Sequence, residues 1–444
     1  MLSNRRLFLK TSALTTAALM TPAASGLRGQ AKNKPSDTVR LAVVGIRSRG
    51  KSHYRNFSRL ANVEVKTLCD IDERLFPDAV KEVETLTGKR PKTVVDFRTV
   101  LDDKEIDAVA IATPDHWHAL HTLWACQAGK DVYVEKPLGV SVAENLALRR
   151  AVQQTGAIFQ YGTQQRSGYY FWQACTLARN GSLGRVHTIH AWCTDVHSQE
   201  SAFTAVNGST QPIPVPADLD YDRWLGPAAH SPYTADRCTP YGTYHHYDNS
   251  IGFIAGWGAH PLDIAQWGID SDSTAPIEYE GTGVITRGGL FETVCDWDMH
   301  CRYANGVTMR FMSDGVAAPV VRPYHPAFRD HGTTFCGDDG WVSVCRSGIY
   351  TSSESLLRPE RLHHGPRLYQ SSNHYRNFID CIRTRRPAIS PVEAAVQSDL
   401  ISHLCDISIR LGRKIRWSPQ KEEIVDDATA ARLLNRPRRS PYHL

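Results

Sequence analysis

Hydrophobic residues between positions 38 and 162 form short apolar runs that alternate with amphipathic segments. The runs are rich in Val, Ile and Ala and predict buried strands at 39–45, 63–70, 93–97, 106–112, 131–135 and 157–162. The amphipathic segments predict helices near 50–61, 72–87, 116–128 and 141–155. Strand–helix repetition with apolar strands is typical of a parallel sheet covered on both faces, so we predict a doubly wound α/β domain.

The pattern changes after residue 166. Strand-like stretches now follow one another without regular helices between them, at 185–195, 277–287, 291–303, 306–313, 332–337 and 341–346. Two amphipathic helices, near 371–384 and 391–411, close this part of the chain. We therefore predict a C-terminal α+β domain with a large, mostly antiparallel open sheet.

A glycine-bounded turn follows the first predicted strand. Gly45 and Gly50 stand at the first and third glycine positions of a dinucleotide-binding fingerprint, with Ile46 and Arg47 between them and a helix directly after. Arg47 replaces the second glycine, where a side chain crowds the approach of phosphate unless its guanidinium turns outward to pair with the phosphate. Asp70 ends the second strand and can accept hydrogen bonds from both ribose hydroxyls of NAD. The pattern predicts a Rossmann domain that binds NAD.

Two further groups stand at the carboxyl ends of predicted strands, the edge at which open α/β sheets bind ligands. Thr113 and Pro114 follow the fourth strand, and Glu135 and Lys136 follow the fifth. A lysine directly after a buried strand points either to solvent or into the cleft, and the fixed φ of Pro137 restricts its direction.

These motifs resemble the Gfo/Idh/MocA family of glucose–fructose oxidoreductases and inositol dehydrogenases, in which Glu-Lys-Pro ends the fifth strand. The Thr-Pro turn and His118 also resemble the family, whereas Asp115 stands where many members have Asn. The resemblance extends from about residue 38 to the C-terminus. It implies that Lys136 hydrogen-bonds the reacting hydroxyl as a catalytic residue. It also implies cofactor contacts from Thr113, Pro114, His118, Glu135 and Lys136.

The family resemblance also indicates a second catalytic residue. Members commonly carry Asp-x-Gly-x-His, and this chain has Gly256, Gly258 and His260 at the corresponding positions. His260 is therefore implied to be the catalytic acid/base. The Asp position is Gly256, so another group must set the orientation and pKa of His260.

A long insert at 196–250 is first Pro-rich and then rich in aromatic residues and His. Such side chains suit the apolar faces and hydroxyls of a sugar, but they could equally pack the loop against the protein. The resemblance implies substrate contacts from Gln164, Arg166, Tyr244, His245 and Tyr247.

We expect an NAD(P)-dependent oxidoreductase that moves hydride between a secondary hydroxyl of a sugar, glycoside or polyol and a tightly bound cofactor. NAD is favoured by Asp70, and the nearby cations Arg47, Arg49 and Lys51 leave NADP open. One alternative is an NAD-dependent glycoside hydrolase, in which transient oxidation acidifies a C–H so that the glycosidic oxygen can be eliminated. A further alternative is a non-catalytic sugar-binding paralogue.

The first residues read as an export signal. Arg5 and Arg6 precede Leu-Phe-Leu-Lys and a short, Thr-rich apolar stretch, which resembles the twin-arginine type. We therefore expect a periplasmic or extracellular protein. No run approaches the ~18 apolar residues of a membrane span. Free NAD(H) is scarce outside the cytoplasm, so an exported enzyme must carry its cofactor and regenerate it in place.

Composition, charge and cysteine content add little to these predictions. The 444 residues are 41% hydrophobic and 22% charged, which suits a globular protein of two to three domains. The net charge of +5 comes from seven cations at the two ends, so the rest of the chain is near neutral. This charge balance gives no sign of a basic patch that would bind nucleic acid. None of the eleven cysteines has zinc spacing, no metal site is predicted, and most are expected to be reduced core residues.

These patterns divide the chain into four parts. Residues 1–36 are a signal peptide and linker, 37–162 the NAD(P)-binding domain, 163–425 the substrate-binding domain and 426–444 a basic tail. Family resemblance implies that 371–425 packs back toward the first domain. It also allows a homo-oligomer formed through the outer face of the open sheet.

Overall fold

A computed structural model describes residues 38–195, 208–239, 242–285 and 287–444. The predicted signal peptide, the start of the insert at 196–207 and Tyr241 lie outside these ranges. Among the described residues no helix is long and apolar enough to cross a membrane, and no cluster of three or more His, Cys, Asp or Glu side chains could hold a metal ion. Ten of the eleven cysteines are buried.

In the described residues the first sheet has six parallel strands in the order β3-β2-β1-β4-β5-β6. The strands are Val39–Val44 (β1), Val63–Cys69 (β2), Lys92–Val94 (β3), Ala108–Ile111 (β4), Asp131–Val134 (β5) and Phe159–Tyr161 (β6). The helices between them are Ser48–Ser58 (α1), Phe76–Thr87 (α2), Phe97–Asp102 (α3), Asp115–Gln127 (α4) and Val142–Thr155 (α5). This confirms the doubly wound fold.

Two boundaries differ from the sequence prediction. The strand predicted at 93–97 ends at Val94, because the Asp96 carboxylate accepts a 3.0 Å bond from the Arg98 amide and starts α3 at the buried Phe97. The helix predicted from 72 begins as a single 3₁₀ turn capped by Asp72.

The second sheet has nine strands among the described residues, in the order β13-β12-β11-β7-β10-β9-β8-β14-β15. They are Val186–Cys193 (β7), Glu278–Ile285 (β8), Val294–Arg302 (β9), Thr308–Ser313 (β10), His331–Gly337 (β11), Gly340–Cys345 (β12), Gly348–Thr351 (β13), Ile415–Ser418 (β14) and Glu423–Ile424 (β15). Only β7 and β10 pair in parallel within this described sheet, so the predicted mostly antiparallel architecture is confirmed.

Helices between these strands are more numerous than the sequence predicted. They are Tyr169–Arg179 (α6), Tyr221–Leu225 (α7), Gly242–His245 (α8), Phe253–Gly256 (α9), Ala259–Gly268 (α10), Asp314–Val321 (α11), Pro359–Leu362 (α12), His374–Thr384 (α13), Val392–Leu411 (α14) and Ala428–Arg432 (α15). Every residue of α10 is buried, so this helix has no polar face to give a periodic signal. Side chains of α6, α10 and α14 form one apolar core with the second sheet.

The last long helices connect the two domains. Phe378 and Ile379 of α13 join the apolar cluster on one side of the first sheet. Ala395 and Val396 of α14 join the cluster on its other side, while Leu404 further along the same helix packs in the core of the second domain.

Candidate active site

A cleft of about 1140 Å³ opens at the carboxyl ends of the first sheet's strands. Its walls include the turn after β1, the ends of β2 and β4, the start of α4, parts of the insert and the C-terminal tail. Predicted site residues in these walls are Gly45, Arg47, Asp70, Thr113, Pro114 and Tyr244. Parallel strands bring these loops together although they are distant in sequence.

The glycine turn is built for close backbone approach. Gly45 has φ +77° and a Cβ there would lie 2.6 Å from the Ala112 carbonyl oxygen. A Cβ on Gly50 would lie 1.7 Å from the Gly45 carbonyl oxygen, so only glycine fits at the start of α1. The Asp70 carboxylate accepts a 2.8 Å bond from the Ile46 amide and fixes the turn to the end of β2. Because that bond uses only part of the carboxylate's acceptor capacity, Asp70 can still bind a ribose hydroxyl.

Basic side chains near this turn are already paired. Arg47 turns away from the turn and lies 2.6 Å from Asp72, which also binds Arg74 at 2.7 Å. Arg49 donates a 2.9 Å bond to Glu135. These pairings leave the glycine turn open to a pyrophosphate at the α1 N-terminus, and they do not provide a free cation for a 2′-phosphate. The residues present therefore fit NAD.

Glu135 anchors a buried polar network beside the cleft. Its Oε1 accepts from Arg49 and from the Gln164 side-chain amide at 2.8 Å, and it lies 3.2 Å from Nε2 of His53. Burial alone raises the pKa of this carboxyl, yet Arg49, His53 and Lys136 hold the pKa of Glu135 well below its ordinary value. Glu135 is thus an anion, and Gln164 serves this network.

Lys136 follows β5 and points toward the second domain. Its Nζ donates a 2.7 Å hydrogen bond to the Gly256 carbonyl oxygen and lies 5.3 Å from the centre of the Tyr244 ring. Burial lowers the pKa of Lys136, while Glu135 and Asp115 partly restore it. The lowered pKa lets Lys136 lose its proton more readily than a surface lysine does, which suits general acid–base work.

The missing family carboxylate has a physical explanation. A Cβ on Gly256 would lie 3.0 Å from Cδ1 of Tyr244, so the Tyr244 ring occupies the space that a side chain at position 256 would need. The Gly256 carbonyl oxygen meanwhile accepts from Lys136. Position 256 therefore acts through its backbone.

We predict that Gly256→Ala lowers the free energy of unfolding by about 1–3 kcal/mol, because the methyl group overpacks against Tyr244. In a Tyr244→Ala background the same substitution should cost far less. Gly315→Ala in α11 is the matched control, since a Cβ there meets no atom within 4 Å. Urea unfolding of the wild type, the two single variants, the double variant and the control measures the coupling, and equal costs in both backgrounds would contradict the contact.

His260 stands at the start of α10. It is 3% exposed, its Nδ1 has no hydrogen-bond partner among the described residues, and its ring lies 5.9 Å from that of Trp257. Burial, with Arg346, Lys136 and His331, holds the pKa of His260 well below its ordinary value. The imidazole is neutral and can accept a proton.

Asp115 is a buried carboxyl that the sequence analysis noted without assigning a role. It opens α4, lines the cleft and accepts a 2.7 Å bond from the Ser250 hydroxyl. Burial raises the pKa of Asp115 to about 7, against the opposing effects of Ser250 and Lys136. Asp115 is therefore a second titratable group that interacts electrostatically with the lysine. Its place directly after Pro114 at a strand end was the available signal.

Two residues that were predicted to contact the cofactor or the substrate, His118 and Arg166, instead form buried contacts within the protein. His118 is 1% exposed, and its ring nitrogens lie 2.6 Å from the Pro137 carbonyl and 2.7 Å from the Thr113 carbonyl. It joins the loops after β4 and β5. Arg166 is 1% exposed and forms ion pairs with Asp263 at 2.8 Å and Asp272 at 2.7 Å, so its guanidinium is not available to a substrate.

The three insert residues predicted to contact substrate lie in different surroundings. Tyr244 reaches the cleft, but His245 is buried against Phe253, with ring centres 4.5 Å apart. Tyr247 lies between Arg410 and Arg436 and donates a 3.2 Å bond to Asp406. The structure therefore places His245 and Tyr247 in packing roles, because the first is buried and the second is enclosed by charged side chains.

Comparison with known proteins assigns this chain to a family. Two models of an oxidoreductase family match the chain, the NAD-binding Rossmann domain over residues 39–163 and the C-terminal alpha/beta domain over 194–318 and 339–444. The first model is that of the NAD-binding Rossmann fold of an oxidoreductase family. It belongs to the Gfo/Idh/MocA family.

Curated relatives share part of the chain. An α-N-acetylgalactosaminidase of Shewanella oneidensis is 28% identical over 229 residues, which is 47% of this chain and 49% of that protein. A glycosyl hydrolase family 109 protein of Shewanella pealeana is 32% identical over 159 residues, 32% of this chain and 35% of that protein. The chain thus spans less than half the length of these relatives.

Solved structures share the fold. An aldose–aldose oxidoreductase from Caulobacter crescentus superposes with a TM-score of 0.57 at 17% identity, covering 85% of this chain and 99% of that one. The WlbA dehydrogenase from Bordetella pertussis, in complex with NADH and UDP-GlcNAcA, gives a TM-score of 0.60 at 16% identity, covering 86% and 99%. At these identities the likeness concerns the fold alone.

Proposed function

We propose that the protein transfers hydride between a secondary hydroxyl of a sugar, glycoside or polyol and an NAD molecule that stays bound. The observation that carries the proposal is Lys136, a lysine of lowered pKa whose Nζ donates to the Gly256 carbonyl and lies 5.3 Å from the ring of Tyr244, a residue of the cleft wall. The related Caulobacter structure is that of an aldose–aldose oxidoreductase, which supports a sugar substrate.

The chain's own groups divide the work of such a reaction. NAD, when bound, supplies the hydride acceptor. Neutral Lys136 takes the hydroxyl proton and in its ammonium form stabilises the oxyanion that develops. The Gly256 carbonyl keeps the amine oriented, and the Tyr244 ring face stabilises its charged form. His260 is the second candidate proton acceptor; its imidazole is neutral, and burial makes it a weaker base than an ordinary histidine.

A second candidate is a glycoside hydrolase that oxidises, eliminates and reduces again. The curated relatives favour it, since they include an α-N-acetylgalactosaminidase and glycosyl hydrolase family 109 proteins. The glycine at position 256, where the family resemblance implies Asp, also leaves this candidate open. Both candidates need a cofactor that returns to its starting state.

We further propose that the protein is exported through its paired arginines and works outside the cytoplasm. Fractionation of cells that express the wild-type chain and an Arg5→Lys/Arg6→Lys variant tests this. Export of the wild type alone supports the proposal, and equal distribution of the two contradicts it.

The function is tested by denaturing the purified protein and identifying the nucleotide released. We expect about one NAD per chain. Glycosides and polyols are then screened for a change in nicotinamide absorbance and for product. A ketone or lactone marks the oxidoreductase, and a released aglycone without net absorbance change marks the hydrolase. A chain that neither contains nor binds a nicotinamide nucleotide would be a non-catalytic paralogue.

A further inference from the structure

We propose that residues 436–442 form a strap that completes the cofactor cleft, with Tyr442 binding the adenine end of the dinucleotide. Pro441 and Tyr442 line the same cleft as Gly45 and Asp70. The inference rests on the proposed function in one respect only, namely that the occupant is NAD.

The strap is held by its arginines. The Arg439 amide donates a 2.9 Å bond to the Pro227 carbonyl, and its guanidinium donates to the Gly226 carbonyl at 2.9 Å and forms an ion pair with Asp222. Arg438 lies 3.2 Å from the buried Glu144. These contacts explain the basic character of the tail, because the cations anchor it to the insert and to α5.

Tyr442 belongs to a set of aromatic side chains at the cleft. Its ring centre lies 5.3 Å from that of Trp117 at 87° and 6.4 Å from that of Trp124. Trp117 in turn stacks on His121 at 4.4 Å, and His121 lies 4.5 Å from Phe97. These five residues come from α3, α4 and the tail, and four of them precede the tail by more than 300 positions.

Flat aromatic rings in the wall of this cleft suit a purine. Stacking on aromatic faces is the common way in which proteins bind nucleobases, and Tyr and Trp can bind a base without reading its edges. Asp70, which can bind the adenosine ribose, lines the same cleft. The aromatic set therefore fits adenine, and Tyr442 is its contribution from the far end of the chain.

The insert covers the same region from outside. The Asp220 amide donates a 3.2 Å bond to the Ile71 carbonyl just after β2, and the Trp117 indole donates a 3.1 Å bond to the Arg223 carbonyl. Since Arg439 binds this insert, the strap and the insert form one wall. A bound dinucleotide could leave past this wall only after the tail detaches, so the strap should slow dissociation.

The test compares a chain ending at Asn435 and a Tyr442→Ala variant with the wild type. Tyr170→Ala is the matched control, since Tyr170 is an exposed tyrosine on α6. Each protein is loaded with NADH, and the dissociation rate is followed by loss of bound NADH fluorescence after a chase with excess NAD. We expect both strap variants to release NADH about tenfold faster or more, and Tyr170→Ala to match the wild type.

The outcomes separate the strap from the proposed function. Unchanged rates in both variants, with a wild type that binds NADH, would overturn the strap and leave the function standing. Tighter binding by the shortened chain would also overturn it, because Tyr442 would then compete with adenine. A wild type that binds no dinucleotide would remove both. Thermal unfolding checks that the variants fold, and Tyr442→Ala covers the case in which the shortened chain does not.

Discussion

Replacing Lys136 by Met should reduce turnover by about 10²–10⁴-fold while the protein still contains its nucleotide. The amine is the group placed to move the hydroxyl proton, and its hydrogen bond goes to the Gly256 carbonyl. Methionine keeps the length of the side chain and removes the exchangeable proton. Single-turnover change in nicotinamide absorbance, with the substrate found by screening, measures the loss.

Two further variants serve as controls for this prediction. Lys136→Arg keeps the charge but should not restore activity, because a guanidinium does not release its proton in proteins. Lys81→Ala, an exposed lysine on α2, should behave as the wild type. Activity of the wild type should rise with pH through the pKa of Lys136, at a midpoint below the ordinary lysine value of 10.5, because burial lowers it. An active Lys136→Met variant would mean that His260 alone serves as the base.

Replacing Arg166 by Ala should lower the free energy of unfolding by about 3–5 kcal/mol, because it leaves the fully buried Asp263 carboxylate without its partner. Arg166 donates from one edge of its guanidinium, Nε and Nη2, to Asp263 and from another, Nη1 and Nη2, to Asp272, so a single substitution breaks two ion pairs. The midpoint of guanidinium unfolding measures the effect.

A surface ion pair provides the control for this loss. Arg185 lies 3.5 Å from Asp338, with side chains 81% and 53% exposed, and Arg185→Ala should cost no more than ~1 kcal/mol. Combining Arg166→Met with Asp263→Asn should recover part of the stability, since no lone charge then remains buried. Equal losses in the free energy of unfolding for Arg166→Ala and Arg185→Ala would show that the buried ion pairs stabilise the protein no more than the surface pair does.

Sequence patterns predicted the parts of the site that lie at the ends of parallel strands. Gly45, Asp70 and Thr113 follow strands whose order in the sheet places their loops together, so periodicity and spacing were enough to group them. The role of Lys136 was implied only by the family resemblance. The apolar runs that predicted the strands also fixed which loops share one edge of the sheet.

The rest depended on contacts between distant segments. Arg166 was predicted to contact the substrate, but its guanidinium is paired with Asp263 and Asp272, roughly 100 positions further on in the sequence. Tyr244 and Gly256 compete for one space, which no local pattern shows. Tyr442 reaches the cleft from the end of the chain through Arg439, whose partners lie in the insert.

Helix α14 runs through the hydrophobic cores of both domains. Its first turns pack against α5, its later turns pack under the second sheet, and Asp399 between them accepts bonds from Asn145 at 2.8 Å and Tyr161 at 3.0 Å. A hinge between the domains would have to bend this helix or break those buried bonds. We therefore expect the cleft to keep its width when a ligand binds, with the size of the ligand selected by loops and side chains at the mouth of the cleft.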